Sequence, residues 1–418
     1  MRILISGAGV AGPALAWHAA KTGAAVTILD KSESLLRSGH NIDVNGSALT
    51  VIKKMGLFDE LRRLTTTEKG TQVLNDKGGV FASFPVRAGH SASATSENEI
   101  LRGDLAWMLY TASKARAGVD YRFGVTVEEV ISNGDEAVTV RLSSGETRDY
   151  DLLVAADGQW SKIRKQCFPS EAVTVVDKDM YVAYSTIPRL ESDNDWWNVY
   201  FALGSRIITT RPDPYNTIRA MFTRMPWNAA QKEAWQKASR GDRKTQLELL
   251  RREFADAGWQ SRRLLDAMDE AEDFYFQAVQ QIRMSTWSTG RVVCLGDTAY
   301  APTPLTGMGS SLAILGGYVL GGELSKLDDG EHPRRALQAY ESAFRPFVEK
   351  IQDIPSFVPA VAHPDVAWKR WMIWSFLWTF SKVATIPWLL RWFDHDESAA
   401  DFPLPQYARF EKEASEEW

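Results

Sequence analysis

RILISGAGVAGPALAWHAAKTGAAVTILD, residues 2–30, is the stretch of sequence that decides the fold. An apolar run leads into three spaced glycines, Gly7, Gly9 and Gly12; an alanine-rich stretch and a second apolar run ending at Asp30 follow. This order predicts a strand, a tight turn, a helix and a second parallel strand, which is the first half of a dinucleotide-binding unit. The sequence therefore predicts an α/β fold with a mostly parallel sheet.

Each part of this unit has a physical task in binding a dinucleotide. Gly7 permits the turn, Gly9 lets the backbone approach a pyrophosphate, and Gly12 lets the helix pack on the strand. The helix N-terminus offers unpaired N–H groups and the positive end of its dipole to the phosphates. Asp30, which Lys31 follows, places a carboxylate where it accepts from ribose hydroxyls and repels a 2′-phosphate. The pattern therefore favours FAD or NAD over NADP.

Length and composition indicate a class of protein. A chain of 418 residues with mixed charge and a net charge of −5 fits a globular protein of two or three domains, and it offers no basic face for nucleic acid. Cys167 and Cys294 are expected to be reduced core thiols, and the first strand begins at Arg2, so we expect a cytoplasmic protein without a signal peptide. The six histidines lack metal-ligand spacing, and we expect no metal site.

Two later apolar runs also end in a glycine and an aspartate. Tyr150–Arg164 contains a strand pattern followed by Asp157 and Gly158. Thr289–Gly309 contains another strand pattern, which ends before Asp297 and leads into a loop of prolines and glycines. Because the carboxyl ends of parallel strands meet at one edge of a sheet, we expect both aspartates to share a crevice with the N-terminal glycine turn.

Between these motifs the pattern is that of a second sheet. Alternation over Thr71–Val86 predicts a hairpin, strands rich in Trp, Tyr and Ile within Val173–Phe222 predict an antiparallel sheet, and Asn228–Asp273 is helical. We expect this sheet to bind the substrate. The predicted domains are 1–70, 97–172 and 274–354 for the cofactor, 71–96 and 173–273 for the substrate, and 355–418 as a C-terminal helical segment.

Local patterns predict three further features. We expect an amphipathic helix from about Ser47 to Leu64 and a helix that opens at Glu99–Leu105 and runs to about Ala117. Strands at Tyr121–Ser132 and Ala137–Leu142 are expected to form a small antiparallel excursion from the parallel sheet.

The C-terminal segment Pro355–Trp418 is rich in tryptophan. A membrane span needs about twenty apolar residues. The longest uncharged run, Trp371–Ser381, is too short, and Lys382 and Pro387 interrupt the apolar residues after it, so we expect no membrane span. We favour an aromatic helix docked across the two domains, with contact to a membrane surface as the alternative.

The order and spacing of these motifs resemble the single-component (group A) flavoprotein monooxygenases, which include p-hydroxybenzoate hydroxylase and the tetracycline-inactivating monooxygenases. The resemblance covers about residues 1–350. The family's second motif is matched by Asp157, Gly158, Ser161 and Arg164. Its third motif is matched by Gly296, Asp297, Pro302, Pro304, Gly307 and Gly309. Where the family often has Gln and Asn around the last glycine, this chain has Met308 and Ser310, which changes the side chains offered to a flavin.

The resemblance implies a role for each matched residue. Asp297 would hold the ribityl chain of FAD, Arg102 the flavin side of the cofactor, and Asp157 and Arg164 would serve FAD and a transiently bound nicotinamide. The Pro302–Gly309 loop would lie against the isoalloxazine. The residues predicted to bind the cofactor are Gly7, Gly9, Gly12, Asp30, Lys31, Arg37, Arg102, Asp157, Gly158, Arg164, Gly296, Asp297, Pro304, Gly307 and Gly309.

Two of these arginines also fit a role that has nothing to do with a cofactor. Arg37 falls in a loop that would pass over the pyrophosphate, but it also fits a solvated arginine. Arg102 stands where a loop meets a helix and could clamp a phosphate or the flavin edge in a bidentate manner. It could equally pair with Asp104 at the start of that helix.

The resemblance implies an FAD-dependent monooxygenase that uses NADPH or NADH and dioxygen. Through a flavin hydroperoxide it would hydroxylate or epoxidise an electron-rich aromatic, polycyclic or enolic small molecule, as enzymes of secondary metabolism do. Asp43, Arg211 and Tyr184 are the candidates for substrate binding and catalysis, and a monomer or homodimer is expected. Further pocket candidates, each of which also fits an ordinary sheet residue, are Trp197, Tyr200 and Arg206.

Two alternatives keep the flavin. One is an FAD-dependent dehydrogenase or reductase that inserts no oxygen. The other is a non-catalytic flavin-binding scaffold that uses its Trp-rich tail to bind a partner. A flavin halogenase is disfavoured because the Trp-x-Trp-x-Ile-Pro element of those enzymes does not occur in this sequence.

Overall fold

A computed structural model of the chain describes residues 1–35, 39–86, 95–355, 358–383 and 401–411. The strands, in chain order, are β1 (Arg2–Ser6), β2 (Ala25–Asp30), β3 (Asn41–Asp43), β4 (Gly70–Leu74), β5 (Val80–Pro85), β6 (Glu99–Leu101), β7 (Val119–Phe123), β8 (Val127–Asn133), β9 (Val138–Leu142), β10 (Thr147–Tyr150), β11 (Leu152–Ala155), β12 (Val173–Pro188), β13 (Trp197–Ala202), β14 (Arg206–Pro212), β15 (Thr217–Arg224), β16 (Tyr275–Met284), β17 (Ser288–Thr289) and β18 (Val292–Cys294). The helices are α1 (Ala11–Ala20), α2 (Gly46–Lys54), α3 (Phe58–Arg63), α4 (Arg102–Lys114), α5 (Lys162–Cys167), α6 (Ala229–Ser239), α7 (Arg243–Phe254), α8 (Ser261–Glu270), α9 (Asp297–Tyr300), α10 (Gly309–Leu324), α11 (Arg334–Gln352), α12 (Val358–Ala362), α13 (Ala367–Val383) and α14 (Ala408–Glu411).

A six-stranded sheet forms the first core, in the order β17-β18-β11-β1-β2-β7. Its strands run parallel except for β17, and β1 pairs with β2 on one side and with β11 on the other. The strand residues are short apolar runs buried on both faces, as parallel sheets covered by helices require. The predicted α/β fold with a mostly parallel sheet is confirmed.

Helices α1 and α10 pack closely against each other over this sheet. A Cβ placed on Gly317 of α10 would lie 2.8 Å from the backbone nitrogen of Leu15 in α1. A Cβ on Gly322 would overlap the ring of Tyr407, at 2.1 Å from its nearest carbon. The glycines of α10 therefore let a helix and a C-terminal aromatic ring approach the α10 backbone, although glycine lowers helix propensity.

A seven-stranded sheet forms the second core, in the order β16-β12-β15-β14-β13-β4-β5. Its neighbours are antiparallel except for β13 and β4, which run parallel. One face is covered by α6, α7 and α8, where Tyr181 and Phe222 are buried among helix residues such as Leu250. Since successive strand residues point to opposite faces, Tyr184 lies on the other face. Tyr184 and Leu305, which comes from the Pro-rich loop, both pack there on the buried cluster around Val182, so this face is the one that meets the cofactor domain.

Three local expectations need correction. The helix expected from Ser47 to Leu64 is divided into α2 and α3, because the chain turns at Gly56 with a φ of 72°. The helix expected to open at Glu99 begins at Arg102, after the strand β6. The strand expected over Tyr121–Ser132 is two strands: β7 joins the parallel sheet, and β8 forms the antiparallel excursion with β9 and β10.

The predicted domain boundaries stay a prediction, but one strand crosses them. The division at residue 274 assigned Tyr275–Met284 to the cofactor domain. In the structure this segment is β16, which pairs antiparallel with β12 and so forms the edge of the seven-stranded sheet. Its far end, at Ile282 and Met284, is buried in the first core, so β16 connects the two domains.

The C-terminal segment contacts both domains through different parts. The aromatic helix α13 packs on the seven-stranded sheet, with Trp374 and Phe380 against rings of β5. Residues 401–411 return to the first core, where the Ser47 hydroxyl donates to the Phe402 carbonyl and the Tyr407 hydroxyl donates to Glu323. Within the described ranges, each helix is too short or too polar to reach across a lipid bilayer.

Candidate functional site

The three sequence motifs meet at one edge of the parallel sheet. The strands β1, β2, β11 and β18 end side by side there. A Cβ built on Gly296, just after β18, would lie 3.0 Å from the Cβ of Ala11 at the start of α1. Arg102 reaches the same place, since its Nη2 would lie 3.8 Å from a Cβ on Gly9. The predicted crevice therefore has the glycine turn, Asp297 and Arg102 in one place.

Gly7 and Gly12 of the N-terminal turn are enclosed by backbone, as the turn and the helix packing predicted for them require. Gly7 has a φ of 116°, and a Cβ there would lie 2.2 Å from the Ala156 carbonyl oxygen. A Cβ on Gly12 would lie 2.1 Å from the Gly7 carbonyl oxygen, so α1 could not pack on the turn. Gly9, by contrast, faces open space apart from the Arg102 side chain. The first turn of α1 has no side-chain cap, which leaves its N–H groups to a ligand.

Asp30 is fixed beside this turn. Its Oδ2 accepts from the Ala8 backbone N–H and its Oδ1 from the Ser32 backbone N–H, both at 2.9 Å. A carboxylate oxygen has two lone pairs, so this anchoring leaves capacity for the ribose hydroxyls that the sequence predicted. Lys31 is exposed next to it, and Arg37 lies outside the described residues.

Asp297 stands at the N-terminus of α9, directly after Gly296, whose φ is 65°. Its carboxylate is exposed toward the crevice, and its Oδ1 would lie 3.9 Å from a Cβ on Gly309. The surrounding protein raises the pKa of this carboxyl, while the nearby Arg102 cation acts to lower it. Pro304 and Gly307 are exposed in the loop that precedes α10.

Arg164 connects the second motif to the third. It is buried, and its guanidinium donates to the carbonyl oxygens of Thr298 and Gln159, at 2.6 Å each. Thr298 in turn accepts from the Gly158 backbone N–H at 3.0 Å. The observed contacts of Arg164 are thus structural, and its role toward the cofactor stays a prediction. The surrounding protein partly desolvates the Asp157 carboxyl at the same strand end and so raises its pKa.

These residues fit an FAD molecule. At Gly158 and Gly307 a side chain would meet open space, and at Gly9 and Gly309 it would meet only side-chain atoms at 3.8 Å or more. Gly7, Gly12 and Gly296 are instead enclosed by protein. The uncapped start of α1 suits the pyrophosphate, Asp30 suits the adenosine ribose, and Asp297 suits the ribityl chain. Across the described residues, no group of three or more His, Cys, Asp or Glu could hold a metal ion.

Beside Arg102, three aromatic side chains line the crevice. The Tyr184 ring stacks on His40 with 5.3 Å between centroids, and its other neighbour is Tyr275, at 6.5 Å. Burial, with the cations Arg102, Arg211 and Arg219, lowers the pKa of His40 to about 3, so this ring is neutral. Burial also raises the pKa of Tyr184, so its hydroxyl keeps its proton.

Arg211 lies in a buried cluster of charges next to these aromatic side chains. Its guanidinium binds Glu68 in a bidentate manner, at 2.9 Å for both contacts, and also binds Glu99. The guanidinium lies 4.1 Å from the ring centroid of Trp197, a cation–π contact. Asp43 is nearby on β3, where its Oδ1 accepts from the backbone N–H and hydroxyl of Ser96. Burial raises the pKa of Glu68, and Arg211 opposes that shift.

Four of these residues are not among the predicted candidates, and two predicted pocket candidates have the alternative role of ordinary sheet residues. Tyr200 and Arg206 contact the helix-covered side of the sheet, through Trp259 and the carbonyl oxygen of Glu253 respectively, so they are structural. The missed residues are His40, Glu68, Glu99 and Tyr275. Glu99 is buried at the start of the short strand β6. The signal in the sequence is an acidic residue directly before the apolar residues Ile100 and Leu101.

Comparisons with known proteins agree with this site. A family described as FAD binding domain matches residues 1–354. Monooxygenase CTB7 of Cercospora beticola is 34% identical over 417 residues, which cover 97% of each chain. FAD-dependent monooxygenase asL4 of Sarocladium schorii is 30% identical over 442 residues, with 99% of each chain covered.

Solved structures show the same fold. The crystal structure of tetracycline destructase Tet(51) has a TM-score of 0.79 and 25% identity, with 97% of this chain and 99% of that chain covered. That of tetracycline destructase Tet(55) has a TM-score of 0.76 and 28% identity, with 92% and 96% covered. Site, sequence and fold thus agree, and the chain belongs to the FAD binding domain family as an FAD-dependent monooxygenase, an oxidoreductase.

Proposed function

We propose that this monooxygenase uses NADPH or NADH and dioxygen to hydroxylate or epoxidise an electron-rich aromatic, polycyclic or enolic small molecule. The observation that carries the proposal is the position of the aromatic side chains Tyr184, His40 and Tyr275. Tyr184 lies on the sheet face that meets the cofactor crevice, and His40, close to the Arg102 cation, stacks on its ring. A flat apolar substrate placed there would face both the cofactor and a neutral aromatic surface.

Bound FAD supplies the redox chemistry, namely reduction by a nicotinamide and the activation of dioxygen. The residues of this chain bind the cofactor, orient the substrate and exclude water. Leu305 packs on the sheet face at one side of Tyr184, and α13 covers the same face near Phe84. In the proposed mechanism both contacts would keep water from the space between the sheet and the crevice.

Three side chains are assigned to the substrate. The Tyr184 hydroxyl, which keeps its proton, would donate a hydrogen bond to a substrate oxygen. Asp43 is held through Oδ1 by Ser96, and its carboxylate would accept a hydrogen bond or a proton from a substrate hydroxyl. Arg211, oriented by Glu68, would stabilise negative charge on a substrate oxygen.

The names of similar proteins support the polycyclic class. The two solved structures are tetracycline destructases, named for a polycyclic, oxygen-rich molecule. We also propose a role in secondary metabolism, as the family resemblance implies, and a cytoplasmic enzyme that is a monomer or homodimer. The expected transient nicotinamide contact at Asp157 and Arg164 is part of the proposal.

The test uses the purified, FAD-loaded chain with NADH and NADPH in turn and a panel of phenols, naphthols and polycyclic enols. We expect a yellow protein whose NADPH or NADH oxidation accelerates with one class of compound and whose product contains one atom from ¹⁸O₂. Tyr184→Phe should keep the bound FAD and lower that acceleration, whereas Tyr200→Phe, on the helix-covered face, should leave it unchanged.

Two outcomes would contradict the proposal. Turnover that proceeds without oxygen and with an artificial electron acceptor, and that leaves no ¹⁸O in the product, would indicate a dehydrogenase or reductase. Bound FAD that neither NADH nor NADPH reduces in the presence of any compound would indicate a non-catalytic scaffold.

A further inference from the structure

His40 lies in the crevice with two ring nitrogens that have no task in the proposed function. The His40 side chain is half-buried, and its ring stacks on that of Tyr184 with 5.3 Å between centroids and 21° between planes. Across the ranges that the structure describes, neither ring nitrogen of His40 has a hydrogen-bond partner. Polar atoms in such a place normally have one. The two nitrogens therefore point to a ligand in the crevice.

The backbone around His40 is fixed by elements of both domains. The His40 carbonyl oxygen accepts from the backbone N–H of Arg102 at 3.0 Å, at the start of α4. The carbonyl oxygen of Gly39 accepts from the Arg219 guanidinium of β15 at 2.9 Å. Directly after His40, the strand β3 begins at Asn41 and pairs with β6. The imidazole is therefore held in place before a ligand binds, which lowers the cost of ordering it.

The groups that face His40 make it a neutral acceptor. Three cations act on the ring, namely Arg102 of α4, Arg211 of β14 and Arg219 of β15, and together with burial they keep the imidazole uncharged. A neutral imidazole has one N–H donor and one bare nitrogen that accepts. The three guanidinium groups can only donate hydrogen bonds, and the Tyr184 hydroxyl keeps its proton to donate. The bare nitrogen of His40 therefore adds a hydrogen-bond acceptor to a group of donors.

We propose that the bare ring nitrogen of His40 accepts a hydrogen bond from a substrate hydroxyl whose oxygen accepts one from Tyr184. Two hydrogen bonds of about 2.8 Å that meet at one oxygen span a distance similar to the 5.3 Å between the two rings. His40 thereby orients the substrate ring, and the hydroxyl proton stays on its oxygen. A carbonyl or ether oxygen can accept from Tyr184 but has no hydrogen to donate to His40.

This contact narrows the class of substrate. It rests on the proposed function, which places an oxygen-bearing aromatic or enolic molecule on Tyr184, and it selects phenols and enols with a free hydroxyl over their ethers and over ketones. A site built to pair with a hydroxyl hydrogen discriminates against an analogue that lacks it, because the buried polar group is then left without a partner.

The test measures equilibrium binding to the FAD-loaded chain without a nicotinamide, followed by the change in flavin absorbance. The ligands are a naphthol and an anthrol, each compared with its own methyl ether. We expect the original chain to prefer the hydroxyl compound of each pair. His40→Phe keeps a ring against Tyr184 and removes both nitrogens. It should lower this preference by about fivefold, the usual effect of losing one hydrogen bond between neutral groups, and leave the affinity for the ether unchanged.

Further variants separate the hydrogen bond from packing. His40→Gln keeps an accepting oxygen and should recover part of the preference for the hydroxyl compound, although it lacks the ring. His332→Phe, the same substitution at a half-buried histidine before α11, should leave the preference unchanged. The melting temperature and the bound FAD show whether His40→Phe is folded. If it is not, His40→Ala takes its place and should lose the same preference.

The outcomes distinguish this inference from the proposed function. The inference alone is overturned if His40→Phe keeps the preference of the original chain for the hydroxyl compound, or if it weakens the binding of hydroxyl compound and ether equally. If the original chain binds neither member of either pair, the proposed function is overturned and the inference with it.

Discussion

At the scale of single residues, the buried carboxylates around Arg211 need its positive charge for their stability. Its guanidinium contacts two buried carboxylates, Glu68 and Glu99. Glu99 also accepts hydrogen bonds from Asn41, Thr66 and Thr95. The cluster therefore depends on one cation for much of its stability, and removing that cation leaves buried negative charge uncompensated.

We predict that Arg211→Met lowers the free energy of unfolding by about 3–5 kcal/mol at neutral pH, the usual effect of breaking a buried ion pair. Burial already raises the pKa of Glu68 in the folded chain, and without the opposing cation this pKa rises further. A group with a raised folded-state pKa stabilises the fold at low pH and loses that effect as the pH rises. The destabilisation should therefore be larger at pH 8 than at pH 5.

Urea unfolding at both pH values measures this effect. Arg211→Lys is the control, because it keeps the charge and loses the bidentate geometry, so it should show a smaller destabilisation with little dependence on pH. An Arg211→Met variant that is equally destabilised at pH 5 and pH 8 would show that packing against Trp197, and not charge, is what Arg211 provides.

Residues of the cofactor crevice could be predicted from the sequence, but residues of the charge cluster could not. Gly9, Asp30 and Asp297 follow directly from strands whose ends meet by topology, so local spacing is enough to find them. Arg211 and Glu68 are 143 positions apart in the sequence. They become partners because β14 packs against the loop between α3 and β4, which contains Glu68. Nothing in their local sequence records that contact.

At the scale of elements, the strand, turn and helix of the first thirty residues contain a matched pair of glycines. Gly12 is enclosed, with a Cβ position 2.1 Å from the Gly7 carbonyl oxygen, whereas Gly9 faces the open crevice. Substituting the two residues should therefore separate folding from cofactor binding. One glycine serves the packing of α1, and the other serves the approach of the pyrophosphate.

We predict that Gly9→Val weakens FAD binding by at least about tenfold, since the side chain occupies the space for the phosphate. The melting temperature of its FAD-free form should match that of the original chain. Gly12→Val should instead lower the melting temperature of the FAD-free form, because α1 can no longer pack on the turn. Thermal melts of the FAD-free proteins and titration with FAD, followed by flavin fluorescence, measure both effects. Equal losses of stability in the two variants would refute this division.

One segment contributes to both domains, which a boundary drawn on sequence alone does not anticipate. The predicted boundary at residue 274 assigned Tyr275–Met284, a mixed run of apolar and polar residues, to the cofactor domain. It pairs with β12 because that strand is 16 residues long and extends from one domain into the other. In the sequence, a long strand such as β12 is visible only as a continuous strand pattern. That pattern does not indicate which other strand pairs with it.

At the scale of the whole molecule, buried histidines tie the stability of the chain to pH. His18 lies in the first core, with both ring nitrogens unpaired, between Trp17, Tyr318 and Phe410. Burial lowers the pKa of His18 to about 3, and nearby cations add to the shift. His40 has a similar pKa, and burial lowers that of His363 to about 4. These residues lie in separate parts of the molecule, so their effects should add.

These pKa values determine the sign of the pH effect. In the unfolded chain a histidine binds a proton near its ordinary pKa of 6.5, whereas the folded chain keeps His18 neutral to about 3. Between those values the unfolded chain binds more protons, so stability falls as the pH falls. We predict that His18→Phe, which keeps a ring in this slot, reduces the slope of unfolding free energy against pH by about 1.4 kcal/mol per pH unit between pH 6 and pH 4.

Urea unfolding of the FAD-free chain at several pH values measures this slope. His332, half-buried at the surface before α11, is the comparison: burial lowers its pKa too, but to a smaller extent, so His332→Asn should change the slope less. Removing two unpaired buried nitrogens should also leave His18→Phe at least as stable as the original chain at pH 7. An unchanged slope in His18→Phe would mean that the first core opens to water before it unfolds, and that His18 is then protonated in a state that still counts as folded.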